Sequence, residues 1–120
     1  MHIGIFPKRR VFMAAEFWNL KKYHAALQSG ESFLVDFFAT WCAPCKQMAP
    51  IFEIFAERHP EIRVAKVDID AEPSLAEECH VFSVPTFVLF RDGQEVSRTV
   101  GAMPLRKLEQ FVGVKETIEA

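Results

Sequence analysis

The chain has 120 residues, enough for one domain of ordinary size and too few for a second of comparable size. Half of the residues are hydrophobic, twelve are Phe, and only five Gly and seven Pro are present, which excludes collagen-like and low-complexity classes. Fourteen Lys plus Arg against sixteen Asp plus Glu leave a net charge of −2, which argues against nucleic-acid binding through bulk positive charge.

Taken in chain order, the first residues are the least regular. Ile3, Ile5, Val11 and Phe12 could supply strand, but Pro7 and the basic trio Lys8, Arg9 and Arg10 interrupt them, so only a short edge strand over Val11–Met13 is expected. The apolar run from Val11 ends at Glu16. It is too short for a signal-peptide core or a membrane span, so a soluble, cytoplasmic chain without membrane insertion is expected. Three cysteines, an odd and small number, make a poor disulfide framework for a secreted domain. From Ala15 to Gln28, Phe17, Leu20, His24 and Leu27 recur at threes and fours, which predicts an amphipathic helix closed by Gly30.

Phe33-Leu34-Val35-Asp36-Phe37-Phe38-Ala39 is an apolar run broken by one carboxylate and reads as a central strand buried on both faces. Thr40-Trp41-Cys42-Ala43-Pro44-Cys45 follows, and then a helix with Met48, Phe52 and Phe55 on one stripe, kinked at Pro50 and closed by His59-Pro60. Ile62–Ile69 predicts a second strand, and Pro73–Cys79 a short helix with proline in its first turn. Thr86–Phe90 and Glu95–Val100 flank an Asp92-Gly93 pair and predict a tight antiparallel hairpin. Leu105, Leu108, Phe111 and Val112 predict a final amphipathic helix beginning near Pro104. The fold class is α/β: one mixed sheet in one domain over residues 1–120, with helices on both faces.

Cys42 and Cys45 fall where a buried strand ends and a helix begins. Unpaired N–H groups and partial positive charge at a helix N-terminus favour a thiolate there, and the thiolate is the nucleophile in disulfide exchange. The first cysteine, at the exposed turn, can attack a substrate disulfide, and the second, one turn further in, can resolve the mixed disulfide. The competing use of Cys-x-x-Cys is half of a zinc site. Zinc normally wants four ligands, and no second pair exists beyond the loose Cys79-His80.

Trp41-Cys42-Ala43-Pro44-Cys45-Lys46 resembles the active-site motif of the thioredoxin family. Asp36, Pro50, Lys66, Val84-Pro85-Thr86, Asp92-Gly93 and Val100-Gly101-Ala102 also follow in family order, so the resemblance spans roughly residues 15–112. It implies a thioredoxin fold and a protein-disulfide reductase. Such a protein carries electrons to protein disulfides and is recycled by thioredoxin reductase, without a bound cofactor or metal; a chain of this size is expected to be a monomer. Cys42 would attack, Cys45 would resolve, and the two would alternate between dithiol and disulfide. Asp36, buried beneath them with a raised pKa, would take the proton from Cys45, with Lys66 as its charge partner. Pro85 would follow a cis peptide. Trp41, Ala43, Pro44, Val84, Pro85 and Gly101 would make the substrate-contacting surface.

Ala43 stands where the family most often has Gly, which puts the redox poise in question, and Phe38 stands where many members have Trp. The rival functions are a thioredoxin-fold oxidase or isomerase, separated by that poise, and a binding adaptor whose redox activity is incidental. Plainer readings apply to three side chains. Lys66 can snorkel from a strand edge, His24 can be a satisfied boundary residue, and Cys79 can be an inert core thiol.

Overall fold

A computed structural model describes residues 11, 12 and 14–117. The elements run β1 (Glu16–Phe17), α1 (Leu20–Gln28), β2 (Phe33–Phe38), α2 (Ala43–Arg58) and β3 (Arg63–Asp68), followed by α3 (Pro73–Glu78), β4 (Thr86–Arg91), β5 (Gln94–Val100) and α4 (Leu105–Val112). The strands form one sheet in the order β1-β3-β2-β4-β5. β1 and β2 both run parallel to β3, whereas β4 is antiparallel to β2 and to β5. The parallel β2–β3 pair needs a crossover, which α2 supplies, and the antiparallel β4–β5 pair needs only a tight turn.

Side chains alternate across β2 and feed two cores. Phe33, Val35 and Phe37 pack with Trp18, Tyr23 and Leu75 on the α1 and α3 side. Leu34 packs with Met48, Phe52, Phe55 and Leu108 on the α2 and α4 side. A strand buried on both faces must be apolar throughout, which is the pattern of the Phe33–Ala39 run. Asp36 is its one exception and is itself buried.

The hairpin turns on Asp92 and Gly93, with φ of 53° and 77°, the two positive angles that a two-residue turn of this hand requires. The turn docks on the end of α1. The Gly93 N–H donates to the Glu31 carbonyl at 2.9 Å, and a Cβ at Gly93 would lie 2.8 Å from the Leu27 carbonyl oxygen.

Two expectations for the N-terminal part are corrected. Val11 and Phe12 carry no strand, and the Lys8–Arg10 trio and Met13 lie outside the described residues. The edge strand is β1, inside the segment read as the start of a helix. Long-range bonds set it. The Trp18 N–H donates to the Lys66 carbonyl at 3.0 Å, and the Arg63 guanidinium donates to both Glu16 carboxylate oxygens at 2.9 and 3.1 Å. The helix then starts at Leu20 because the Asn19 side chain caps it, accepting from the Lys22 N–H at 2.9 Å. Phe17 is thus a solvent-exposed strand residue, and the buried stripe of α1 is Tyr23 and Ala26. His24 sits at the boundary, with Nε2 2.8 Å from a Glu78 carboxylate oxygen.

Candidate active site

Cys42 is the N-cap of α2, in extended backbone, with proline in the first helical turn behind it. The Cys45 N–H therefore points back at Cys42 Sγ, at 3.2 Å. Cys42 and Cys45 are joined as a disulfide, with Cα atoms 5.2 Å apart. Negative charge on Cys42 after reduction would meet both this N–H and the positive end of a 16-residue helix. Both sulfurs are largely covered, packed with Ala39, Phe38, Ile69 and Val84.

The Val84–Pro85 peptide is cis. Cys42 Sγ lies 3.7 Å from the Val84 carbonyl, so this backbone edge borders the disulfide directly. Its loop is fastened on each side. Arg98 donates to the Cys79 and His80 carbonyls at 2.9 and 3.2 Å while its guanidinium is held by Glu95, and the Thr86 hydroxyl donates to the Ser83 carbonyl at 2.6 Å. The Gly101 N–H donates to the Pro85 carbonyl at 2.9 Å, which brings the end of β5 to the same edge. At a φ of 104°, with no atom near a would-be Cβ, Gly101 is set by backbone conformation and leaves open surface.

Trp41 is 66% exposed, and its indole N–H donates to the Asp70 carboxylate at 2.8 Å. Ala43 and Pro44 are exposed beside it. The structure thus gathers Trp41, Cys42, Ala43, Pro44, Cys45, Val84, Pro85 and Gly101 around one edge. Asp70, 29 residues from Trp41, has no local sequence signal that would mark it as the indole's partner. Phe82 was also missed in the sequence. It is 91% exposed, three residues before Pro85.

Asp36 is only 2% exposed, and its Oδ1 has no hydrogen-bond partner. It shares a cavity of about 260 Å³ with Phe38, Cys45, Lys46 and Lys66. Burial pushes its carboxyl up to about 7; the Lys66 charge opposes this rise and the Glu53 charge adds to it. A carboxyl that titrates near neutrality beside a thiol can exchange a proton with it. Lys66 lies beside Asp36 in the strand register, but its ion pair is with Glu53, at 3.7 Å. The third cysteine stands apart: Cys79 is buried with Tyr23 and Leu75 in the other core.

The thioredoxin family model matches residues 15–114. The chain belongs to the thioredoxin family. It is 42% identical over 93 residues to Thioredoxin-2 of Saccharomyces cerevisiae, covering 77% of this chain and 89% of that one. It is also 51% identical over 77 residues to the bifunctional thioredoxin reductase/thioredoxin of Mycobacterium leprae, covering 63% of this chain and 17% of that one. Among solved structures, the oxidised form of mitochondrial thioredoxin 3 from Saccharomyces cerevisiae superposes with a TM-score of 0.75 at 34% identity, covering 83% of this chain and 95% of that one. The thioredoxin fold expected from the sequence is therefore the fold observed. The Cys42–Cys45 pair makes this family member a thiol–disulfide oxidoreductase working by dithiol–disulfide exchange.

Proposed function

We propose that the chain reduces protein disulfides, with Cys42 as nucleophile, Cys45 as resolving thiol and Asp36 as the proton acceptor for Cys45. The observation that carries this reading is the placement of a buried carboxyl with a raised pKa in the same cavity as Cys45. In the dithiol form, Cys42 thiolate attacks one sulfur of the substrate disulfide, forming a mixed disulfide and releasing the other substrate sulfur as thiolate. Cys45 passes its proton to Asp36 and attacks Cys42 Sγ. The second substrate thiolate leaves, the substrate has gained two electrons, and the Cys42–Cys45 disulfide returns.

The substrate's extended segment lies along the Val84 edge, against Trp41, Ala43, Pro44, Pro85 and Gly101, with the Val84 backbone as pairing partner. A reductase supplies the two electrons that restore the dithiol. The fusion of the two activities in the Mycobacterium leprae relative supports this partnership. The chain acts as a monomer, with residues 1–120 as one domain. No helix among the described residues is long and apolar enough to cross a membrane. A mitochondrial protein stands among the similar structures, so the compartment is read first as a reducing one, and within that the cytoplasm is our assignment.

The test is a trapping experiment. Cys45→Ser should accumulate a mixed disulfide between Cys42 and a model substrate such as insulin, and Cys42→Ser should form none. Trapping through Cys45 instead would reverse the assignment. Substrate binding that persists undiminished in the Cys42→Ser, Cys45→Ser double variant would favour the adaptor.

A further inference from the structure

Asp36 and Lys66 are register partners on β2 and β3, and both line the cavity beside Cys45. The Lys66 ammonium is nevertheless engaged elsewhere. Its Nζ lies 3.7 Å from a Glu53 carboxylate oxygen on α2, 5.4 Å from the Phe17 ring centre and 5.2 Å from that of Phe38. The two rings meet edge to face, 6.2 Å apart, so the cation has an aromatic wall from β1, another from β2 and an anion from α2. Asp36 Oδ1 meanwhile has no partner.

We propose that Glu53, with the rings of Phe17 and Phe38, seats the Lys66 ammonium off Asp36, which makes Glu53 a positioning residue for the buried acid. The kinetic consequence rests on the reading of Asp36 as proton acceptor; the seat itself does not. The charged and titratable groups around Asp36 are Lys66 from β3 and Glu53, Cys45 and Lys46 from α2, while its register partner on β4 is the neutral Phe87. Glu53 acts on the acid in two ways. Its own negative charge disfavours ionisation of Asp36, and its hold on Lys66 keeps a compensating positive charge at a distance. The half-exposed carboxylate alone would be a weak, screened pair, and the two rings add attraction that water does not screen as strongly.

The experiment separates the two ways by titrating Asp36 directly, through the carbon-13 signal of its labelled carboxyl in the oxidised protein. Four proteins are compared: the parent, Glu53→Gln, Lys66→Met, and the double variant. Methionine keeps the apolar stem of Lys66, and Glu53 is half exposed, so all four should fold. With Lys66 present, Glu53→Gln should lower the midpoint by about half a pH unit or more, because the freed ammonium turns to Asp36. In the Lys66→Met background the same substitution should move it by less than half as much. Equal shifts in the two backgrounds, or no shift in either, would overturn the seat. The acid limb of the mixed-disulfide resolution rate should move down in pH by the same amount as the titration. An NMR shift without any kinetic shift would leave the seat standing and sink the proton-acceptor role of Asp36.

Discussion

His59, the last residue capping α2, and Glu109, in the middle of α4, are joined by a 2.6 Å hydrogen bond from imidazole Nε2–H to carboxylate, with both side chains buried. The same carboxylate accepts from the backbone N–H and the hydroxyl of Thr117, at 2.9 and 2.7 Å, so the chain after α4 is tied down as well. Burial pushes the Glu109 carboxyl up, but the bonds from Thr117 and His59 outweigh it and hold the group below its ordinary value of 4.5.

Glu109→Ala should therefore destabilise the protein by about 3 kcal/mol at neutral pH, because His59 and Thr117 lose a buried partner. A carboxyl with a depressed folded-state pKa contributes fully above its unfolded value and loses that contribution as pH falls through the folded one. The gap between parent and variant in urea midpoint should be present above the ordinary carboxyl value of 4.5 and narrow as pH falls below it. A gap that stays the same in acid would show that packing, not the charge on the carboxylate, accounts for the loss.

Asp36 has the opposite sign. Its carboxyl is raised from 3.8 to about 7 in the folded protein, so the folded state holds a proton that the unfolded state has already released. That favours folding least above about pH 7: the penalty is absent below about pH 4, grows across the window between the two values, and is constant beyond it. Asp36→Asn should stabilise the protein at about pH 8 by a few kcal/mol, since each tenfold difference in proton affinity between the folded and unfolded states is worth about 1.4 kcal/mol. At about pH 3 the same substitution should leave stability nearly unchanged. Denaturant melts at the two pH values check this.

The same variant should separate the two chemical steps. Initial attack by Cys42 should keep its rate, while resolution by Cys45 should slow on the order of 10- to 100-fold for want of a proton acceptor. Rapid-quench analysis of the mixed disulfide resolves the steps, and equal slowing of both would remove Asp36 from the proton path.

Cys79 is buried, and the loss of hydration pushes its thiol up, only partly offset by the Tyr23 hydroxyl. The oxidised protein should therefore show no thiol to a chromogenic disulfide reagent under native conditions and one after unfolding. Oxidant-driven dimers that Cys79→Ser abolishes would contradict this.

For the reductase reading, the Cys42–Cys45 couple should titrate below the glutathione pool, more negative than about −260 mV, when followed by Trp fluorescence. A value near about −180 mV would move the protein to the isomerase class, with Ala43→Gly the first variant to compare.

What was legible in the sequence was local in origin. The Phe33–Ala39 run, the Asp92-Gly93 turn and the cysteines at a strand-to-helix junction each declare themselves within a few residues, because burial on two faces, positive φ and capping are short-range demands. β1 escaped this reading because only two residues pair, and their partners, Ala65 and Lys66, lie 49 positions further along the chain. Once Phe17 is in a strand, its place in the helical spacing is coincidence, and Asn19 becomes the cap that starts α1 at Leu20. At the site, the cysteines follow from their spacing at the strand-to-helix junction, and Asp36 and Pro85 from the family resemblance. The grip of Asp70 on Trp41 and of Glu53 on Lys66 depends on how α2 and the loop after β3 lie over the sheet edge, which no spacing encodes.

The Arg98 clamp on the Cys79 and His80 carbonyls has a bearing on which disulfides the protein can reach. With the Cys79, His80 and Ser83 carbonyls already held, the loop before Pro85 has less freedom left to lose when a target arrives. The ordering entropy of the encounter then falls almost wholly on the other molecule. Disulfides carried on short, well-braced loops must be distorted to lie along such an edge, whereas those on slack loops need only be caught there. Selection among targets would thus follow how easily the region around each bond comes loose, more than the side chains that flank it.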